Sequence, residues 1–119
     1  MTRIAAALAG LSALAVAGQA SAHAHLTASN PAANATVATP RQLTLQFSEK
    51  LNPKFSGLSV TMPKMSNMVV AVKVEVGKDG LSLVATPSEA LPAGAYKVSW
   101  HAVTADTHRT QGAYSFTVK

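Results

Sequence analysis

The sequence contains no cysteine. Disulfides are therefore excluded, and the domain must be held together by packing alone. The absence also removes thiolates from the possible metal ligands, so that any soft ligand has to be a methionine thioether. Three of the chain's four methionines, Met62, Met65 and Met68, fall within one short segment.

Aromatic residues and negative charges are also scarce. The chain has one Trp, two Tyr and three Phe, and ten Lys and Arg stand against five Asp and Glu, which gives a net charge of +5. The positive residues are scattered, and no basic stripe is interleaved with stacking rings. This pattern argues against a nucleic-acid partner, whereas weak attraction to anionic membrane surfaces is compatible with it.

The first 22 residues have the pattern of a secretory signal peptide. A positive start that includes Arg3 precedes an apolar run from Ile4 to Val16, and Ala20-Ser21-Ala22 follows as a small-residue cleavage sequence. The alternative is a membrane anchor, but the run is shorter than the roughly 20 residues that a spanning helix needs. Cleavage after Ala22 predicts an exported chain that begins at His23, with one small domain over residues 23–119.

Short alternating segments dominate this domain, and turn residues separate them. Leu43, Leu45 and Phe47 alternate with polar residues, and such a period of two is typical of a half-buried strand. Similar segments occur at Leu26–Ser29, Leu58–Met62, Val70–Val76, Leu81–Thr86, Tyr96–His101 and Ala113–Val118. About seven short strands at this spacing predict an all-β fold, an antiparallel β-sandwich with Greek-key connections.

Asp106 and His108 lie in the segment between the last two predicted strands, where an extended loop would project both to the same side. Alone, such a pair is typical of a solvated turn or a local hydrogen bond. Together with an N-terminal His23, which chelates through its amine and its ring, the pair gives a tetragonal nitrogen and oxygen set that favours Cu(II).

Two further histidines have less certain roles. His25 is the third residue after the predicted cleavage, so the amine, two amides and its ring form a second possible chelate for Cu(II). The alternative is a surface histidine or one that supports a ligand. His101 alternates with Trp100, and the pattern predicts that it faces solvent unless the fold brings it to the metal site.

Met62, Met65 and Met68 are spaced by three residues, with proline, lysine, serine and asparagine among them. Thioethers are soft ligands that suit Cu(I), and the polar neighbours disfavour a core strand here. The alternative is that Met62 and Met68 end their strands as core residues and that Met65 is incidental.

Four segments together resemble the CopC family of periplasmic copper-binding proteins, including its YobA-like branch. They are HAHL at the predicted mature start, FSEKLNPKFSGLSV, MPKMSNM, and PAGAYKVSWHAVTADTHRTQGAYSFTVK at the end. The resemblance covers essentially the whole predicted domain. It implies a seven-stranded Greek-key sandwich or barrel, immunoglobulin-like or cupredoxin-like, that binds one Cu(II) through His23, Asp106 and His108.

The resemblance also implies Cu(I) binding at Met62, Met65 and Met68, and a CopD-like inner-membrane copper importer as partner. The loop here is short and holds neither a histidine nor a fourth methionine, so we expect any Cu(I) site to be weaker. We expect a monomeric, periplasmic, non-enzymatic protein that sequesters or delivers copper.

Two other classes remain as alternatives. A histidine-brace copper monooxygenase has a similar metal set, but it needs a broad aromatic surface to hold a polysaccharide, and aromatic residues are few here. A structural or adhesive β-sandwich with incidental histidines would bind no metal tightly.

Overall fold

The computed structural model describes residues 23–119. The predicted signal peptide therefore lies outside the described residues. No helix in this range is long and apolar enough to cross a membrane. The described chain forms nine strands: β1 (Leu26–Asn30), β2 (Thr36–Val37), β3 (Leu43–Phe47), β4 (Gly57–Met62), β5 (Met68–Val70), β6 (Val72–Val76), β7 (Ser82–Pro87), β8 (Gly94–Val103) and β9 (Arg109–Val118).

The strands form two sheets, which confirms the predicted sandwich. One sheet has four strands in the order β1-β3-β7-β6, and the other has five in the order β2-β9-β8-β4-β5. Pairing is antiparallel except between β2 and β9, which run parallel. The count of nine exceeds the predicted seven or so because the two-residue β2 has no predicted counterpart and the three-residue β5 forms part of a segment predicted as one strand.

The segment Val70–Val76, predicted as one strand, is divided between the two sheets. Val70 belongs to β5, which pairs with β4, whereas Val72 begins β6, which pairs with β7. Ala71 is the crossing point, and its carbonyl accepts a hydrogen bond from the Ser88 amide at 3.0 Å. The inner faces of both sheets border the same core, so the alternation of apolar residues continues across the crossing and hides it.

The core lies between the sheets and is built from the alternating apolar residues. Leu43, Leu45 and Phe47 of β3 are all buried, as the pattern predicts. Each fully buried side chain of this size contributes about 1.5–3 kcal/mol relative to exposure. Tyr96 and Phe116 stack with ring centroids 5.3 Å apart, so the centre of the five-stranded sheet is tightly packed.

Candidate metal centre

The loop that carries Asp106 and His108 is a tight turn between β8 and β9. The predicted last strand starts at Ala113, but β9 begins at Arg109, so only residues 104–108 separate the two strands. The Thr104 amide donates to the His108 carbonyl at 3.0 Å, and the Thr107 amide donates to the Thr104 carbonyl at 2.9 Å. Thr104 is also buried and bridged to Leu51, and the loop is consequently well fixed.

Asp106 and His108 contact each other directly. Oδ2 of Asp106 lies 2.9 Å from Nδ1 of His108, while Oδ1 accepts hydrogen bonds from the Thr104 hydroxyl and from the His108 amide. The hydroxyl of Thr104 and then the ring of His108 lower the pKa of Asp106 to about 2. The carboxylate is therefore charged at neutral pH. Its contact with Nδ1 orients the ring and leaves Nε2 for another ligand.

His23 lies beside this pair. Its ring centroid is 4.8 Å from that of His108, with the two planes tilted by 43°. The segment that follows His23 is anchored: Ala24 is buried, and its carbonyl accepts a hydrogen bond from the Thr110 hydroxyl at 2.8 Å. Anchoring on β9 explains how residues so distant in sequence meet at one end of the sandwich.

The fold therefore brings together the three side chains that the sequence predicts as Cu(II) ligands. As they stand, no group of three or more His, Asp or Glu side chains within residues 23–119 is arranged to hold a metal ion. In this arrangement the Asp106 carboxylate contacts the ring of His108. Because His23, Asp106 and His108 are all exposed, rotation of their side chains is unobstructed by the core.

The two remaining histidines lie in different places. His25 is exposed, and its backbone is tied to Ser48, whose hydroxyl accepts from the His25 amide at 2.9 Å. His101 lies on the outer face of β8, between Gly57 and Gln111 of the neighbouring strands. It is partly buried and lines a groove that includes neither His23 nor His108.

The three clustered methionines occupy one hairpin but differ in exposure. Met62 ends β4, Met68 begins β5 directly opposite it, and Met65 lies in the single 3-10 turn between them. Met62 is 6% exposed, whereas Met65 is 55% and Met68 48% exposed. The structure thus gives Met62 the position of a core residue and leaves two thioethers accessible.

This hairpin lies far from the histidines. Met62 is at one end of β4, and Gly57, at the other end, pairs with His101 near the turn to β9. At a strand rise of about 3.4 Å per residue, the two ends of β4 are roughly 17 Å apart. One copper ion cannot bridge the two regions.

Sequence reasoning missed Glu49 as a neighbour of the histidine site. Glu49 and Lys50 line a cavity of about 260 Å³ together with Thr104, Ala105 and Asp106. A second carboxylate consequently lies on the border of the loop. The only signal in the sequence was its place in the FSEKLNPKFSG segment immediately after the alternating residues of β3.

Comparison with known proteins shows which family has this architecture. The family model of the CopC domain matches residues 26–119. Copper resistance protein C of Escherichia coli is 49% identical over 110 residues, which cover 87% of this chain and 87% of that protein. Protein YobA of Escherichia coli strain K12 is 43% identical over 99 residues, with 82% and 80% covered. The crystal structure of PcoC, a methionine-rich copper resistance protein from Escherichia coli, matches with a TM-score of 0.77 and 50% identity, covering 82% of this chain and 100% of that one. The chain belongs to the CopC family.

Proposed function

We propose that this protein binds Cu(II) in the periplasm, either to sequester it or to deliver it, and that it does so without catalysis. One observation carries the proposal: His23, His108 and Asp106 meet at one end of the sandwich, with ring centroids 4.8 Å apart and a 2.9 Å contact between Asp106 and His108. Copper resistance is also what the names of the relatives describe.

Each of the three residues has a distinct role in this proposal. His108 supplies Nε2, because its Nδ1 is held by Asp106. His23 supplies its ring and, after cleavage behind Ala22, its α-amine. Asp106 stays negatively charged because of its lowered pKa, so it offsets part of the ion's charge and can add an oxygen ligand. Nitrogen and oxygen donors of this kind suit Cu(II).

His25 is better explained as a neighbour of the site than as a ligand. The alternative chelate, with the amine, two amides and the His25 ring, requires the Ala24 and His25 amides to lose their protons and bind the metal. The His25 amide instead donates to Ser48, and Ala24 is buried. This chelate would have to detach the segment from the fold, which costs packing and hydrogen bonds.

A Cu(I) site at the methionine hairpin is a weaker second proposal. Met65 and Met68 are the accessible thioethers there, and Met62 packs in the core. Two thioethers alone bind Cu(I) less well than three or four would. We therefore assign Cu(I) binding at this hairpin a secondary part in the protein's function.

The monooxygenase alternative finds little support in the surface. A flat platform for a polysaccharide needs several exposed rings, and Phe55 is the one aromatic residue among the large hydrophobic residues exposed within residues 23–119. We therefore propose a monomeric carrier with copper as cargo. A CopD-like inner-membrane transporter is the partner that the family resemblance implies.

The test starts from the exported protein, whose mass shows whether it begins at His23. Titration of this protein with Cu(II), followed by electron paramagnetic resonance, should give one bound ion with nitrogen hyperfine coupling. A form with one extra residue before His23 should bind orders of magnitude more weakly, because the amine and ring no longer form one chelate. His108→Ala should also lose tight binding, whereas His101→Ala, outside the proposed ligand set, should keep it. Equal affinity of the extended and processed forms, or of His108→Ala and wild type, would refute the proposed site.

A further inference from the structure

The outer face of the five-stranded sheet carries a shallow groove of about 520 Å³ that the proposed copper sites do not use. It crosses β4, β8 and β9. The strand register places Ser59 opposite Ser99, and Ser99 opposite Ala113. Three small side chains in one row form the floor of this outer groove, so an incoming chain can approach the sheet closely.

Side chains that are positively charged or donate hydrogen bonds border this floor on both sides. On β8, Lys97 and His101 lie two residues before and after Ser99, and therefore on the same face. Arg109 and Gln111 of β9 line the groove at the His101 end. Burial, and secondarily the positive charge of Arg109, lowers the pKa of His101. The guanidinium of Arg109 is thus close enough to the ring of His101 to disfavour its positive charge.

No carboxylate neutralises this face. None of the five acidic residues of the chain belongs to β4, β8 or β9. The side-chain ion pairs found in the described part of the chain are Lys73 with Glu75 and His108 with Asp106, and none of these four residues lines the groove. Within residues 23–119, Arg109 donates only to the neutral amide oxygen of Gln111, at 3.5 Å. Uncompensated positive charge beside a cleft attracts anions.

We infer that the outer groove binds an extended, acidic peptide segment of a partner protein. Lys97 and His101 are four residues apart on one strand, which corresponds to about 13 Å. Two carboxylates four residues apart in an extended segment have the same spacing, whereas one small carboxylate reaches only one end. The hydroxyls of Ser59 and Ser99 and the amide of Gln111 add donors between the two ends.

The position of the groove links the binding of an acidic segment to copper exchange. Arg109 directly follows His108, so a segment in the groove would end beside the proposed Cu(II) ligands. A partner held there would have its own copper ligands within reach of the metal. This role in copper exchange rests on the proposed function, but the binding of the acidic segment does not.

The test uses the processed, copper-free protein labelled with nitrogen-15. The probe is a blocked peptide with glutamates four residues apart, Glu-Thr-Val-Thr-Glu, and its control is the same peptide with glutamine in both places. The acidic peptide should shift the amide signals of Ser99, His101 and Gln111, and added salt should weaken its binding because the contact is electrostatic. Equal binding of the glutamine peptide would overturn the inference.

Two variants and a control locate the site. Lys97→Gln and Arg109→Gln should each weaken peptide binding by up to roughly fivefold, the range of one exposed ion pair, and the double variant should weaken it further. Arg41→Gln removes the same charge from an exposed position outside the groove and should bind as wild type does. A double variant with unchanged affinity would overturn the inference.

Two further probes and a copper titration separate the remaining possibilities. The two probes are citrate and vesicles that contain phosphatidylglycerol. If either probe shifted the amide signals of Ser99, His101 and Gln111 while the peptide did not, the inference would be overturned. Cu(II) titration of the double variant should match wild type. Loss of peptide binding with copper binding intact would support the groove as a separate site, whereas a protein that binds the peptide but no copper would refute only the proposed function.

Discussion

Gly112 lies directly opposite Trp100 in the ladder between β8 and β9, and the indole covers it so closely that a Cβ there would come within 2.6 Å of Cζ2. The indole cannot easily retreat, because it packs edge-on against Phe47 of the other sheet with centroids 5.1 Å apart. Phe47 is itself buried. The glycine therefore fixes how the two sheets meet near the histidine site.

We predict that Gly112→Ala destabilises the fold by about 1–3 kcal/mol, the usual cost of an overpacked core. Urea unfolding followed by far-UV circular dichroism measures this. Gly57→Ala is the matched control, since its Cβ would meet His101 at an ordinary 3.4 Å and should change stability little. If Gly112→Ala unfolded at the same urea concentration as wild type, the indole would have to occupy a different position.

Much of the fold was predictable from alternation alone, because residues such as Leu45 and Val98 report the buried face directly. The short β2 was not, since its two residues pair with β9 through a contact that is distant in sequence. The crossing at Ala71 was also hidden, because both sheets bury the same side of the chain there.

The candidate site was likewise predictable only in part from the sequence. Asp106 and His108 are close in sequence, so their pairing could be expected from a turn. His23 is far from them in the chain, so neither spacing nor alternation predicts that it meets them, and the expectation came from ligand chemistry and from the family resemblance. The spacing of the methionines could not distinguish Met62 from Met65, because burial depends on how the hairpin pairs.

A second prediction concerns the turn between β6 and β7. Asp79 accepts hydrogen bonds from the Leu81 amide at 2.8 Å, from the Ser82 hydroxyl at 3.1 Å and from the Gln46 side chain at 3.3 Å. The Leu81 amide is the largest cause of a lowered pKa for Asp79, followed by Gln46. A carboxyl whose pKa is lower in the folded state adds stability above its unfolded pKa of about 3.9, and this stability is lost as the pH falls through the folded value.

We therefore expect wild type to be more stable than Asp79→Asn at pH 7, with a difference that shrinks below about pH 4. Asparagine keeps an oxygen for the turn but has no charge to lose. Urea midpoints of both proteins at pH 7 and pH 3 give the comparison. A difference that stayed constant across this range would show that the charge of Asp79 does not stabilise the turn.

A third prediction concerns how Asp106 controls the ring of His108. In Asp106→Asn the oxygen can still accept from Thr104, so the new amide group faces Nδ1 as a donor. Nδ1 must then become the acceptor, which places the proton on Nε2 and blocks the atom proposed to bind copper. Cu(II) affinity should fall by about 10–100-fold, the usual effect of losing such a supporting carboxylate.

The control for charge alone is Glu89→Gln, which removes one negative charge beside Met62 and Met68, away from the histidines. It should bind Cu(II) as wild type does in a competition titration with a chelator. Asp106→Asn with wild-type affinity would mean that neither the carboxylate nor the ring orientation matters for binding.

The last prediction separates packing from ligation among the methionines. Leucine has nearly the volume of methionine but no sulfur, so it tests the thioether while largely preserving the core. Met62→Leu should keep Cu(I) affinity, because Met62 is buried. Its methyl group packs close to Gly94, with Cε only 3.1 Å from the position that a Cβ on that glycine would take. Met65→Leu and Met68→Leu should each weaken Cu(I) binding in an anaerobic titration and leave Cu(II) binding unchanged.

Met62→Ala should instead destabilise the fold by about 2–5 kcal/mol, as deletion of a buried methionine does, whereas Met65→Ala should have little effect. Since Met65 is 55% exposed, its truncation leaves no cavity. A fall in Cu(I) affinity for Met62→Leu as large as that for Met65→Leu would mean that the hairpin opens to form a site with three thioethers. Wild-type Cu(I) affinity in both Met65→Leu and Met68→Leu would instead mean that neither exposed thioether binds copper and that the hairpin has no metal role.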